Sequence, residues 1–177
     1  TGCRVSEGYG LTETSPTVSA NPGNGVQIGT IGVPVPGTEV QIRDDEGNLL
    51  GLDEAGELCV RGPQVMAGYW RRPEATAEVI DSDGWFATGD IALVQPDGYM
   101  RIVDRKKDMI VVSGFNVYPN ELEDVLVAHP EVVECAAVGV LSESTGEAIR
   151  MYVVRSNPDL SEDDVRNFMR EGLTGYK

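Results

Sequence analysis

Histidine and cysteine are scarce in this sequence, and their scarcity excludes several kinds of site. His129 is the only histidine among 177 residues. A catalytic triad built on histidine, or a metal site with several histidines, therefore cannot be assembled within the chain. The three cysteines, Cys3, Cys59 and Cys135, are odd in number and far apart, and no CxxC pair occurs. This spacing argues against a disulfide framework or a zinc site and favours free thiols in a reducing compartment.

Long apolar runs and basic residues are also in short supply. No run approaches the roughly 20 apolar residues needed to cross a bilayer, and the first residues lack the charged-then-apolar pattern of a signal peptide. The 29 acidic residues outnumber the 14 basic ones and give a net charge of −15, which disfavours nucleic acids and anionic lipid headgroups as partners. We expect a cytoplasmic protein with small-molecule partners. Peripheral association with the inner membrane and homo-oligomer formation stay open.

The hydrophobic pattern divides the chain at a charged segment, residues 104–108. Residues 1–104 are rich in glycine and proline, with short alternating apolar segments, and are expected to form a mostly-β, distorted-barrel subdomain. The clearest hairpin there joins residues 91–94 to residues 99–103 through a Pro-Asp-Gly turn. Residues 105–177 alternate strands and helices, which predicts a small α+β domain. The class predicted for the whole chain is α+β, with the charged segment as a hinge between the two domains.

Two short motifs in the first domain carry groups suited to a nucleotide. Residues 9–13, with the sequence Tyr-Gly-Leu-Thr-Glu, supply a flat aromatic face, a hydroxyl that can donate to a phosphate and a hard oxygen ligand for Mg²⁺. Residues 88–90, Thr-Gly-Asp, place a carboxylate after a small flexible dipeptide, where it can accept from both hydroxyls of a ribose. Either motif by itself is also compatible with an ordinary turn.

The charged segment and the residues after it form a second pair of motifs. Residues 104–108, Asp-Arg-Lys-Lys-Asp, fit a solvated linker and equally a hinge whose arginine donates to a ribose, because a hinge must be unburied to move. Residues 113–123 follow a short apolar strand, and on the residues alone Gly114 is a glycine at the end of a strand. Between the two motifs of the first pair, residues 56–70 contain glycines bounding a strand. Their aromatic residues are expected to pack, so no site is assigned there.

Together and in this order, the motifs resemble those of the adenylate-forming acyl-CoA synthetases, a superfamily that also includes luciferases and peptide-synthetase adenylation domains. The resemblance covers nearly the whole chain. It implies that residues 1–104 are the C-terminal part of a nucleotide-binding domain and residues 105–177 a truncated lid domain. The roles it implies are adenine contact for Tyr9, phosphate contact for Thr12, a magnesium ligand for Glu13, ribose contacts for Asp90 and Arg105, hinge rotation for Lys107 and a coenzyme A tunnel at Gly114, with Thr12 and Glu13 as the catalytic pair.

The chemistry implied by this resemblance consumes ATP and CoA and needs Mg²⁺. A carboxylate attacks the α-phosphate of ATP, pyrophosphate leaves, and the CoA thiol then displaces AMP from the acyl adenylate. The motifs look most like those of bacterial long-chain fatty-acid–CoA ligases. Medium-chain or aryl acids remain alternative substrates, and a non-catalytic interaction module on the same scaffold is the alternative from another class of function.

The chain departs from the family pattern at one residue, and the resemblance has a consequence for activity. Asp104 stands where many relatives have glycine, which should stiffen the backbone before Arg105. The family's phosphate loop lies upstream of the motif at residues 9–13, and its adenylation lysine lies downstream of Lys177, which is not given that role. The resemblance therefore implies a fragment that is inactive by itself.

Overall fold

A computed structural model describes residues 2, 3 and 5–173, and the prediction about Lys177 lies outside these residues. The chain divides into two compact units, residues 1–103 and residues 104–177. This division falls one residue before the boundary that the charge pattern suggested. Within the described residues, no helix is long and apolar enough to span a membrane.

The first unit is built from short antiparallel strands. Its elements are β1 (Gly8–Gly10), β2 (Thr17–Ala20), β3 (Val33–Pro34), β4 (Glu39–Arg43), β5 (Gly56–Arg61), α1 (Pro73–Val79), β6 (Phe86–Val94) and β7 (Met100–Arg105), whose last two residues pass the boundary. They form a three-stranded sheet of order β1-β2-β3 and a four-stranded sheet of order β4-β5-β6-β7. The α+β class is confirmed. Neither sheet closes on itself in the described part of the chain, so the expected distorted barrel is corrected to two open sheets.

The two sheets of this unit share one apolar core. Its fully or almost fully buried members come from both sheets: Val18, Ile42, Leu58, Val60, Ala92 and Met100. Tyr9 and Leu11 pack against this cluster, so the segment with the first nucleotide motif is anchored on the core. Burial of the apolar partners therefore fixes the backbone from which the polar residues of the motif project.

The second unit places two helices against one sheet. Its elements are β8 (Ile110–Val112), β9 (Phe115–Val117), α2 (Pro119–Val127), β10 (Val132–Ser142), β11 (Gly146–Arg155) and α3 (Glu162–Gly172). The strand order is β10-β11-β8-β9. Helix α2 begins at Pro119, a residue that suits the first helical position. Helix α3 begins with a capping box in which Ser161 and Asp164 exchange hydrogen bonds. Leu122, Ile110, Val117 and Ala137 form the buried cluster under α2.

Candidate functional site

The first motif forms a strand followed by a tight turn. Tyr9 is the central residue of β1, and Thr12 begins a 3-10 helix that ends at Thr14. The Thr14 hydroxyl accepts from the Leu11 N–H at 3.0 Å and donates to the Pro16 carbonyl at 2.7 Å. The buried threonine that holds the turn is thus Thr14. Thr12 is exposed, which leaves its side chain facing solvent, where it can meet a ligand.

Gly10 is required by the fold of this turn. A Cβ atom built at Gly10 lies 1.7 Å from the Pro16 carbonyl oxygen, a distance no real Cβ tolerates. The chain therefore folds back on itself where a side chain would otherwise stand. The glycine of the motif serves this close approach of backbone to backbone, in addition to any approach by a ligand.

We expect Gly10→Ala to lower the free energy of unfolding of the first unit by about 1–3 kcal/mol, because the added methyl group forces the Pro16 backbone away. Urea unfolding followed by tryptophan fluorescence measures this effect, since both tryptophans, Trp70 and Trp85, lie in the first unit. Gly23→Ala is the control, because a Cβ there meets nothing within 4 Å. Equal unfolding midpoints for the two variants would contradict the prediction.

The second motif is a bulge in strand β6. Ala87 pairs with Cys59 and Ile91 pairs with Glu57, so three residues of β6, residues 88–90, stand opposite Leu58 alone. The middle residue of the bulge is a glycine with φ +75°, a conformation that glycine adopts without strain. Such a bulge turns its side chains out of the regular alternation of the strand and re-aims them.

Three hydrogen bonds fix the shape of the bulge. The Thr88 hydroxyl donates to the Leu58 carbonyl at 2.8 Å and accepts from the Asp90 N–H at 3.2 Å. The Gly89 N–H donates to Glu57 Oε1 at 3.1 Å. Since these bonds replace the missing ladder bonds, Asp90 is held in one direction rather than left on a free loop.

The bulge brings the two nucleotide motifs together. The Tyr9 hydroxyl donates to Asp90 Oδ2 at 2.5 Å, across 81 positions of sequence. A carboxylate offers about four acceptor positions, so a carboxylate that accepts from a phenol can also accept from a diol. The flat ring of Tyr9 and the carboxylate of Asp90 are therefore parts of one half-buried polar site in the first unit.

Glu13 is held by the loop that follows β5. The Tyr69 hydroxyl donates to Glu13 Oε1 at 3.0 Å, and the Met66 N–H donates to the Glu13 carbonyl at 2.8 Å. Desolvation, followed by the hydrogen bond to Glu13 and its charge, raises the pKa of Tyr69 above its usual value. The sequence pattern predicts packing alone for the aromatic residues of this segment, whereas Tyr69 is 37% exposed and its hydroxyl bonds to a predicted site residue.

The carboxylate of Glu13 suits a magnesium ion that a nucleotide already carries. The described residues contain no group of three or more His, Cys, Asp or Glu side chains able to hold a metal by themselves. Mg²⁺ keeps several waters and is bound through one or two carboxylates together with substrate phosphates. A single half-buried carboxylate with one hydroxyl donor fits that pattern.

The remaining predicted site residues lie in the second unit. Arg105 is the exposed last residue of β7, and Lys107 is exposed in a 3-10 helix that spans Lys106–Asp108. Asp104 is buried, and its two carboxylate oxygens accept from the Arg105 N–H at 2.7 Å and from the Asn120 N–H at 2.9 Å. Asp104 therefore caps the first turn of α2, where Tyr118 at the cap position makes no side-chain bond.

Gly114 occupies the turn between β8 and β9. Val112 pairs with Phe115, so the loop has two residues, and both have positive φ: 52° at Ser113 and 84° at Gly114. Positive φ at both positions is the type I′ hairpin turn, which favours glycine. A Cβ at Gly114 meets nothing within 4 Å. Within this chain, the glycine is thus required by backbone conformation rather than by lack of space.

Comparison with known families matches both parts of the chain. Residues 1–70 match the family described as AMP-binding enzyme, and residues 121–177 match the family described as AMP-binding enzyme C-terminal domain. The long-chain-fatty-acid–CoA ligase of Salmonella typhimurium is 58% identical over 178 residues, which are 100% of this chain and 32% of that protein. The chain thus spans about a third of the length of the curated relatives it matches.

Solved structures of similar sequence have the same fold. ATP-bound MatB from Rhodopseudomonas palustris superposes with a TM-score of 0.92 at 38% identity, over 100% of this chain and 36% of that one. The o-succinylbenzoate CoA synthetase MenE from Bacillus subtilis, solved with its acyl-adenylate intermediate, superposes with a TM-score of 0.87 at 32% identity, over 99% of this chain and 36% of that one.

Proposed function

Because the chain belongs to the family of AMP-binding, adenylate-forming enzymes, we propose that it supplies the ribose and magnesium contacts and the hinge and lid of a long-chain fatty-acid–CoA ligase. The reaction activates a fatty acid with ATP to an acyl adenylate and transfers the acyl group to CoA. The observation that carries the proposal is the hydrogen bond between Tyr9 and Asp90, since it joins an aromatic face and a carboxylate from distant motifs into one site.

In the first half-reaction, the residues of the first unit hold the nucleotide. Adenine lies against the ring of Tyr9, and Asp90 accepts hydrogen bonds from the ribose hydroxyls. The exposed Thr12 hydroxyl donates to the α-phosphate, where negative charge develops as the carboxylate attacks. Thr12 and Glu13 are the catalytic pair of this arrangement.

Magnesium bound together with ATP would neutralise part of the negative charge of the phosphates. Glu13 would hold it, and Tyr69 would keep the Glu13 carboxylate turned toward the phosphates.

The second unit serves both half-reactions as a lid. Arg105 donates a hydrogen bond to the ribose. Lys107 is the position about which the lid rotates, since it is exposed and polar as a moving hinge must be. Gly114 lies at the tip of the β8–β9 hairpin and lines the path of the CoA thiol. Water is excluded in each half-reaction by a different face of the same lid.

The proposed cellular setting follows from the substrates and the thiols. A fatty acid, ATP and CoA are small molecules that the cytoplasm supplies together. Cys3, Cys59 and Cys135 are odd in number and far apart, with no CxxC pair, a pattern that favours a reducing compartment. We propose a cytoplasmic enzyme.

A chimera tests the proposal directly. In this chimera, the chain replaces the matching 178-residue segment of the Salmonella typhimurium ligase. The chimeric protein is assayed for release of AMP that depends on oleate and CoA. We expect activity within about tenfold of the parent ligase, because the fold is shared and the site residues are present. A soluble, folded chimera with no acid-dependent AMP release would leave the non-catalytic interaction module as the better interpretation.

An aryl-acid CoA ligase is the second candidate, since MenE, an o-succinylbenzoate CoA synthetase, has the same fold. The acid pocket of the chimera comes mostly from the Salmonella protein, so the chimera does not decide between the two acids. Comparing kcat/KM for oleate with that for an aryl acid in the full-length parent protein, extended in both directions from this chain, does decide. A preference for the aryl acid would favour the second candidate.

We expect Tyr69→Phe in the chimera to raise the Mg²⁺ concentration for half-maximal activity about tenfold, because the partner that orients a metal ligand is lost. Activity is measured over a range of Mg²⁺ at saturating ATP. Tyr152→Phe is the control, since Tyr152 is exposed on β11 in the second unit. An unchanged Mg²⁺ dependence in Tyr69→Phe would remove the positioning role.

A further inference from the structure

Glu57 lies in a segment that the sequence pattern assigns to packing alone. It is the second residue of β5, it is half-buried, and its Oε1 atom accepts from the Gly89 N–H at 3.1 Å. Gly89 is the central residue of the three-residue bulge that carries Asp90. A side chain on the neighbouring strand is thus bonded to the backbone of the residue immediately before the proposed ribose ligand.

This bond has a specific task in the bulge. The regular ladder between β5 and β6 is interrupted at residues 88–90, so the N–H groups there need partners from elsewhere. Thr88 supplies one from within the bulge itself. Glu57 supplies the other from outside, and its acceptor is a charged oxygen, which makes the bond roughly twice as strong as a neutral one.

The conformation of Gly89 shows why an outside anchor matters. At φ +75° the residue is in the left-handed region, and a Cβ there would meet nothing within 4 Å. Nothing therefore packs against the side of Gly89 where a side chain would stand. A glycine has wide conformational freedom, and the bond from its N–H to Glu57 limits that freedom just before Asp90.

We propose that Glu57 is a positioning residue for nucleotide binding: it fixes the peptide that precedes Asp90, so that the Asp90 carboxylate is directed at the ribose while the Tyr9 hydroxyl holds its other side. The inference rests on the proposed function of the Asp90 site. Glu57 itself acts through the backbone of Gly89 and touches no substrate.

Two substitutions at Glu57 in the chimera separate positioning from a direct role of its charge. Glu57→Ala removes the acceptor and is expected to raise the KM for ATP about tenfold, with kcat changed less than twofold. Glu57→Gln keeps an oxygen in the same place and is expected to restore the KM to within about threefold of the parent value. Glu78→Ala on α1, an exposed carboxylate, is the control and should leave KM unchanged.

Combining the change with Asp90→Ala tests the coupling. If Glu57 acts through Asp90, Glu57→Ala causes no further rise in KM once the Asp90 carboxylate has been removed. An effect of Glu57→Ala that persists undiminished in the Asp90→Ala background would overturn the inference, as would a Glu57→Gln variant as impaired as Glu57→Ala. Unfolding midpoints of all variants are measured in parallel, and a KM effect that simply follows lost stability would also overturn it.

Failure of the inference differs from failure of the proposed function. If the unaltered chimera releases no AMP, the function itself is wrong. If the chimera is active and Glu57→Ala has the parent KM for ATP, only the role of Glu57 is wrong.

Discussion

Asp90→Ala in the chimera is expected to raise the KM for ATP about a hundredfold. The substitution removes a carboxylate that accepts from the Tyr9 hydroxyl at 2.5 Å and, in the proposed complex, from two ribose hydroxyls. Each hydrogen bond to a charged acceptor contributes roughly 1.5–3 kcal/mol, so the loss of two such bonds corresponds to at least two orders of magnitude in nucleotide affinity. Initial rates at varied ATP measure this change.

Controls separate the ribose role from a general effect of charge. Asp97→Ala removes an exposed carboxylate from the turn after the same strand, and its KM for ATP should stay within about threefold of the parent value. Tyr9→Phe keeps the aromatic face but removes the donor to Asp90, so a rise smaller than that of Asp90→Ala is expected. An Asp90→Ala variant with an unchanged KM for ATP would exclude Asp90 from the ribose site.

Local signals predicted those elements whose partners are close in sequence. The hairpin β6–β7 follows from a Pro-Asp-Gly turn, and the structure shows the expected turn, with Gln95 donating to the Tyr99 carbonyl and Gly98 at φ +86°. Helices α2 and α3 begin where a proline and a Ser161–Asp164 pair indicate. In each case the signal that marks the start of the element lies within about five residues, so periodicity and turn chemistry carry the information.

Pairing between distant strands was not predictable in the same way. The sequence of residues 40–50 predicts a hairpin in which β4 pairs with residues 49–50 across a tight turn. The structure has the bridge between Arg43 and Leu49 there, and the Leu50 N–H donates to the Ile42 carbonyl at 2.9 Å. The full partner of β4 is β5, because β5 carries buried Leu58 and Val60 into the common core. Burial of apolar side chains in the core stabilises the pairing of β4 with β5 more than the local turn stabilises a hairpin. A short stretch of sequence does not contain both partners, so it cannot predict which pairing forms.

The candidate site was predictable as a set of residues but not as a set of contacts. The motifs place Tyr9 and Asp90 in one function, but their hydrogen bond depends on the bulge, and the bulge depends on the register between β5 and β6. A glycine inside a strand pattern is a recognised signal of a bulge, and Gly89 is such a glycine. The contact from Tyr69 to Glu13 had no such signal.

Asp104 shows how a long-range cap escapes sequence reasoning. It was predicted to stiffen the hinge, whereas its buried carboxylate bonds to the Asn120 N–H at the start of α2. The available clue was negative: α2 begins with Tyr118 and Pro119 and has no capping side chain of its own. A helix without a local cap needs an acceptor from elsewhere, and this one lies 16 positions upstream.

Gly114→Leu is expected to separate the two half-reactions of the chimera. A Cβ at this position meets nothing within 4 Å of this chain, so the leucine has room in the fold and occupies the space at the tip of the β8–β9 hairpin. In the proposed mechanism the CoA thiol passes that tip only in the second half-reaction. The rate of adenylate formation, measured by pyrophosphate exchange in the absence of CoA, should change less than threefold. The rate of acyl-CoA formation should fall about a hundredfold.

The backbone cost of this substitution has a matched control. A non-glycine residue at φ +84° costs roughly 1–2 kcal/mol, which could slow both steps through lost stability. Gly47→Leu imposes the same cost, since Gly47 has φ +84°, lies in a turn of the first unit and likewise has nothing within 4 Å of a built Cβ. If Gly47→Leu slows acyl-CoA formation as much as Gly114→Leu does, or if Gly114→Leu slows both half-reactions equally, Gly114 does not line the path of the thiol.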